Sequence, residues 1–159
     1  MGEPTDALRE HLVRVLDWKE AHVGFDKALD GIPPDKRGAR AAGLEHSPWQ
    51  LLEHIRLAQD DILDFCVNAR YEHTLKWPDD YWPATPAPSD GRAWTDSLAA
   101  YARSREQLKA LAREADLVAT VPTGKAGQTY LRAILLVADH TSYHVGQVVL
   151  VRRALGIWP

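Results

Sequence analysis

Apolar residues recur every three or four positions along most of the chain, which is the spacing of one face of an α-helix. No segment shows the sustained two-residue alternation of a strand, so we expect no sheet. The pattern predicts four helices over residues 5–30, 47–69, 89–115 and 128–155.

Local signals support the predicted helix boundaries. The second helix begins with Ser47 as N-cap, Pro48 at the first helical position and Gln50 three residues after Ser47, which is a capping-box arrangement. Glycine and proline after residue 30 are expected to end the first helix, and Gly156 the last.

The segment 71–88 connects the second and third predicted helices and is rich in proline and aromatic residues. A connection of this length is uncommon in a compact domain unless it is functional or wraps the core. Four helices and one long crossover predict an all-α four-helix bundle, and residues 1–159 are expected to form a single domain.

Composition and charge narrow the function classes. The formal net charge is −3 and no basic block occurs, so we do not expect nucleic-acid binding. The longest apolar run covers residues 133–138, which is too short to span a membrane. No N-terminal signal peptide is expected, and Cys66, the single cysteine, is expected to be a buried apolar residue rather than a nucleophile. These features favour a cytoplasmic protein.

Three histidines are the strongest candidates for chemistry. His140 and His144 are four residues apart on the inward stripe of the last helix, so their side chains project from one face. His54 continues the apolar stripe of the second helix. Three imidazoles with one open position are a common ligand set of catalytic metal sites. The alternative is a polar core without metal, in which each ring is hydrogen-bonded.

Other residues are candidates for supporting or substrate-facing roles. Gln147 follows His144 by one turn and is a candidate hydrogen-bond partner, although a surface glutamine would fit as well. Asp61 shares the face of His54 but lies two turns away. His22 falls on the inward stripe of the first helix, where it would be either a substrate contact or a packed core residue. His46 and His73 lie in loops and are expected to be solvated.

The chain resembles the DinB/YfiT-like superfamily of metal-dependent enzymes over nearly its whole length. The resemblance lies in the segments SPWQLLEHIR, WPDDYWP and DHTSYHVGQ, at residues 47–56, 77–83 and 139–147. It implies an up-down-down-up bundle, usually a homodimer. It also implies that His54, His140 and His144 hold a divalent ion, often zinc or nickel, completed by water.

The resemblance leaves several functions open. Relatives include S-transferases that use low-molecular-weight thiols, and metal-dependent hydrolases. No glutamate is an obvious general base beside these ligands, and no His-Glu-x-x-His run occurs, which favours thiol transfer over hydrolysis. A non-catalytic dimer that binds metal or a ligand is the third possibility. In each enzymatic case the partner is a small-molecule substrate.

Overall fold

The computed structural model describes residues 4–17 and 21–159, and these residues form helices and no named strand. The all-α bundle predicted from the sequence is confirmed, with five α-helices instead of four. In chain order they are α1 (Pro4–Val15), α2 (Phe25–Leu29), α3 (Pro48–Val67), α4 (Gly91–Glu114) and α5 (Tyr130–Ala154).

The first predicted helix is wrong as a single element, because two helices, α1 and α2, lie in its range. Gly24 is the N-cap of α2 and its backbone is extended, with φ −79° and ψ 171°, so no helix passes through it. The break allows Phe25 to stack on Tyr101 with ring centroids 3.6 Å apart. The apolar spacing continues across the break because both helices cover the same bundle. Trp18, which belongs to the predicted stripe, lies outside the described residues.

The starts of the three long helices agree with the capping signals. The side chain of Ser47 accepts a hydrogen bond from the Gln50 backbone and the Gln50 side chain accepts one from the Ser47 backbone, so the capping box at α3 is present. The side chains of Asp90 and Thr129 accept backbone hydrogen bonds at the starts of α4 and α5. Gly156, with φ +70°, follows α5 in the left-handed conformation that favours glycine.

Helix α3 lies at the centre of the bundle and packs against both α4 and α5. At one end of the bundle, α1 packs on α4 and α5 around Leu12, Leu108 and Ile134. At the other end, α2 packs on α5 around Phe25 and the first turns of α3. The long connection after α3 includes a 3-10 turn at Asp79–Tyr81, which packs against α3.

Helix α5 is the one helix within the described residues that is long and apolar enough to cross a membrane. Its mean hydropathy is 1.2 over the most apolar window, of which 39% is buried inside the bundle. Core helices meet the same criterion. Because α5 packs against α1, α2, α3 and α4 and buries its Ala133, Val137 and Val148 stripe, we assign it to the core.

Candidate metal centre

Three histidine side chains from two helices converge between α3 and α5. The Nε2 atom of His54 lies 3.1 Å from Nε2 of His144 and 3.1 Å from Nε2 of His140. The three candidate ligand atoms all lie within 4.8 Å of one another. His54 and His144 are buried and His140 is partly buried. The structure therefore brings together the three histidines that the sequence pattern singled out.

The hydrogen-bond partners of two rings determine which nitrogen carries the proton. Nδ1 of His54 donates to the Tyr81 carbonyl at 3.1 Å, and Nδ1 of His144 donates to Oε1 of Gln147 at 2.6 Å. Both partners are oxygen acceptors, so the proton of each neutral ring sits on Nδ1. The Nε2 atoms of His54 and His144 therefore present lone pairs to each other.

Two lone pairs facing each other at 3.1 Å repel unless a cation lies between them. Two imidazole nitrogens on one zinc ion, each bonded at about 2.05 Å, lie roughly 2.9–3.4 Å apart. The separations at His54 fit this range. The donor set and the tautomers of His54 and His144 thus fit a divalent metal ion.

Burial keeps the three rings in the state that binds metal. Burial, together with the neighbouring His144, lowers the pKa of His54 to about 4, against the opposing effect of its hydrogen bond to the Tyr81 carbonyl. Burial, followed by the charges of His144 and His54, lowers the pKa of His140 to about 3. The pKa of His144 is also lowered by burial. At neutral pH the rings are therefore uncharged, as ligands must be.

An aromatic contact positions His54 on the side of the crossover. The indole of Trp82 stacks on His54 with centroids 3.8 Å apart and an interplanar angle of 1°. His46 stacks on Trp82 at 3.7 Å. The prediction that His46 is solvated is therefore wrong: its ring is partly buried, because the crossover folds back over the segment before α3.

Asp61 is linked to the centre by hydrogen bonds to the crossover; the histidine beside its carboxylate is His73, with Nδ1 at 4.0 Å, which is outside the triad. Its carboxylate accepts hydrogen bonds from the hydroxyls of Tyr81, at 2.6 Å, and Tyr71, at 2.9 Å. The carbonyl of the same Tyr81 accepts the proton of His54 Nδ1. Asp61 therefore ties the crossover to α3 and holds the oxygen atom that orients His54.

A pocket with a volume of about 580 Å³ opens beside the histidines. His140 and His144 line it, together with aromatic and apolar side chains of the crossover, α3 and α5. Trp77 of the crossover lines it and is 59% exposed. His73 is exposed as expected and also lines the pocket, with Nδ1 3.0 Å from the Tyr71 hydroxyl.

The structure does not bring His22 to this pocket. Its ring is exposed, its Nδ1 lies 2.8 Å from the carbonyl oxygen of Val23, and it lines a separate small cavity near Phe25 and Tyr101. The prediction of a substrate contact in the histidine cavity is wrong for His22 because the chain leaves helical geometry before Gly24, so the helical stripe no longer applies there.

Sequence reasoning assigned no role to Tyr81 and missed the contact of Trp82 with His54. Both belong to the WPDDYWP segment, whose three aromatic residues beside two prolines were a usable signal. The contacts themselves depend on how an irregular segment folds across α3, which no periodic pattern indicates.

Fold and site together define a helical bundle with a three-histidine group that could hold a metal ion. Comparison with family models agrees, since the model of the DinB superfamily matches residues 18–148. The chain belongs to the DinB superfamily, as its sequence motifs suggested. No curated protein matches the chain.

Proposed function

We propose that this protein is a metal-dependent enzyme in which His54, His140 and His144 hold one divalent ion, zinc or nickel. The observation that carries the proposal is the pair of facing lone pairs on His54 and His144, whose Nδ1 atoms are both engaged elsewhere. A polar core without metal would use these nitrogens in hydrogen bonds with each other or with the backbone.

The residues around the triad support a catalytic site over a closed structural one. When bound, the ion supplies Lewis acidity and lowers the pKa of a coordinated thiol or water. Tyr81 and Gln147 hold two rings in fixed orientations. No fourth cysteine, histidine or carboxylate joins the triad within the described residues, and the pocket reaches His140 and His144. A substrate in this pocket can therefore reach the triad from the side of His140 and His144.

The reaction that we favour is the conjugation of a low-molecular-weight thiol with an electrophilic acceptor. The pocket offers apolar and aromatic walls, among them Leu136, Trp77 and Tyr143, against which an electrophilic acceptor can pack next to the triad. Its volume suits a small molecule. An acceptor packed on these walls lies beside the triad, where a thiolate held by the ion would attack it.

Metal-dependent hydrolysis is the second candidate, and one observation favours it. Although Glu53, the glutamate next to His54 in the sequence, is ion-paired with Arg56, the carboxylates of Asp61 and Asp139 line the pocket. Either could accept a proton from a water molecule in the pocket, which is the role of a general base in hydrolysis.

An activity assay separates the two reactions. Zinc- and nickel-loaded protein is incubated with bacillithiol, mycothiol or glutathione and a haloaromatic acceptor, and in parallel with an activated ester. Thiol conjugation that is lost in His140→Ala but retained in His73→Ala supports the transferase. Ester hydrolysis that is lost in His140→Ala but retained in His73→Ala, with no conjugation of any thiol, would support the hydrolase instead. A bound ion with neither activity would favour a non-catalytic binding module.

We also propose that the protein is a cytoplasmic homodimer. Helix α5 exposes Leu135 and Leu150 outside the pocket, and Cys66 is a free, buried thiol that suits a reducing compartment. Light scattering after size exclusion tests the dimer: the wild type should elute at twice the chain mass, and Leu150→Glu should shift it toward the monomer. A monomeric wild type would contradict this proposal.

A further inference from the structure

The aspartate, glutamate, lysine and arginine side chains that line the pocket all carry the same sign of charge. Two carboxylates, from Asp61 and Asp139, line it, and no lysine or arginine does so within the described residues. Arg132 borders a neighbouring surface depression, which it shares with Asp139, but it does not line the pocket itself. An anionic substrate would therefore find no cationic side chain in the pocket walls.

The two carboxylates differ in their availability. Asp61 already accepts hydrogen bonds from two tyrosine hydroxyls. Asp139 is exposed and has no hydrogen bond or ion pair in the part of the chain that the structure describes. Because it also borders the adjacent depression, Asp139 lies at the outer edge of the pocket. It is thus the carboxylate that is free to meet a ligand.

Two aromatic side chains in the pocket expose their rings to solvent. Trp77 of the crossover is 59% exposed and Tyr143 of α5 is 67% exposed. Large exposed aromatic rings beside a cleft are typical of binding surfaces, and the negative face of a tryptophan or tyrosine ring attracts a cation. The same rings provide packing area for an apolar group.

We propose that the pocket binds a substrate that carries a positively charged amine next to an apolar or aromatic group, with Asp139 selecting the charge. This inference rests on the proposed function, since the substrate's reacting centre would lie toward His140 and His144 and its ammonium group toward the outer edge. Asp139 supplies the opposite charge there, and Trp77 and Tyr143 supply aromatic contact. A substrate of the same shape without the positive charge loses the interaction with Asp139.

Three probes of similar size isolate the effect of charge: 2-phenylethylammonium, 2-phenylethanol and phenylacetate. Each is titrated at pH 7 into isotope-labelled protein, zinc-loaded and chelator-treated, with backbone amide NMR shifts as the readout. We expect the ammonium probe to bind roughly tenfold more tightly than the alcohol, as one ion pair and one cation–π contact allow. In the chelator-treated protein phenylacetate should bind most weakly.

The variant Asp139→Asn should reduce the difference between the ammonium and alcohol probes from about tenfold to about two- to fivefold, which is the share of the cation–π contact. The matched control is Asp96→Asn, an exposed aspartate on α4 outside the pocket, which should preserve the preference. Equal binding of ammonium and alcohol by the wild type, or a preference that Asp139→Asn leaves undiminished, would overturn the inference. Failure of zinc to bind would contradict only the metal proposal, because the charge preference is also measured in chelator-treated protein.

Discussion

Gln147 determines the state of His144 through one short hydrogen bond. Its Oε1 accepts the Nδ1 proton, so the Nε2 lone pair of His144 faces His54. The sequence indicated this partner because residues one helical turn apart share a face. It did not decide between this role and a surface position, because the rotamer of Gln147 depends on packing around α5.

We predict that Gln147→Ala lowers zinc affinity by about 10- to 100-fold. Without the acceptor, His144 is free to move its proton to Nε2 and to rotate, and both changes compete with metal binding. Competition with a chromophoric chelator measures the dissociation constant. The matched control is Gln107→Ala, an exposed glutamine on α4, which should keep wild-type affinity. Equal affinities for the two variants would contradict the assigned role of Gln147.

Cys66 provides a second test at the residue scale. Its side chain is 4% exposed, and burial raises the pKa of the thiol to about 11. Only the thiolate reacts rapidly with disulfide reagents, and at pH 8 the folded protein holds very little of it. We therefore expect slow labelling by a chromogenic disulfide in the native protein and complete, rapid labelling in urea. Rapid labelling of the native protein would show that Cys66 is accessible and ionised.

At the scale of elements, the crossover between α3 and α4 completes the centre. It contributes the carbonyl of Tyr81 and the ring of Trp82 to His54, and Trp77 to the pocket. Asp61 on α3 anchors it by accepting two tyrosine hydroxyls. A connection without regular structure is thus held in place by a few specific contacts.

Asp61→Ala should destabilise the protein by about 1–3 kcal/mol, because it leaves two tyrosine hydroxyls without their acceptor. It should also weaken zinc binding, since Tyr81 is then less firmly held against His54. The matched control is Asp60→Ala, which removes a surface ion pair with Arg56 and should cost less than about 1 kcal/mol. Urea unfolding with a chelator present measures the free energy of unfolding. Equal losses for both variants would refute the anchoring role.

Helix boundaries were predictable where local chemistry sets them. The side chains of Ser47, Asp90 and Thr129 each accept a hydrogen bond from a backbone N–H three residues later. Each cap therefore involves only near neighbours in the sequence and can be read from it. The break between α1 and α2 was not predictable from periodicity, because both helices keep their apolar residues on the core side. The path of the crossover was not predictable either, since its contacts with Asp61 and His54 are tertiary.

At the scale of the whole molecule, the metal centre results from packing α3 against α5. His54 and His140 are 86 residues apart in the chain, yet their Nε2 atoms lie 3.1 Å apart. The sequence could predict this convergence because all three histidines fall on inward stripes of long helices. It could not predict the pocket, whose walls combine α3, α5 and the crossover.

The metal content of the purified protein tests the central claim most directly. Mass spectrometry of wild type, His54→Ala, His140→Ala, His144→Ala and His73→Ala compares the triad with a histidine that lines the same pocket outside it. We predict close to one zinc or nickel ion per chain in the wild type and in His73→Ala, and a large loss in each triad variant. A wild type without stoichiometric metal, or a His54→Ala variant with unchanged content, would contradict the account.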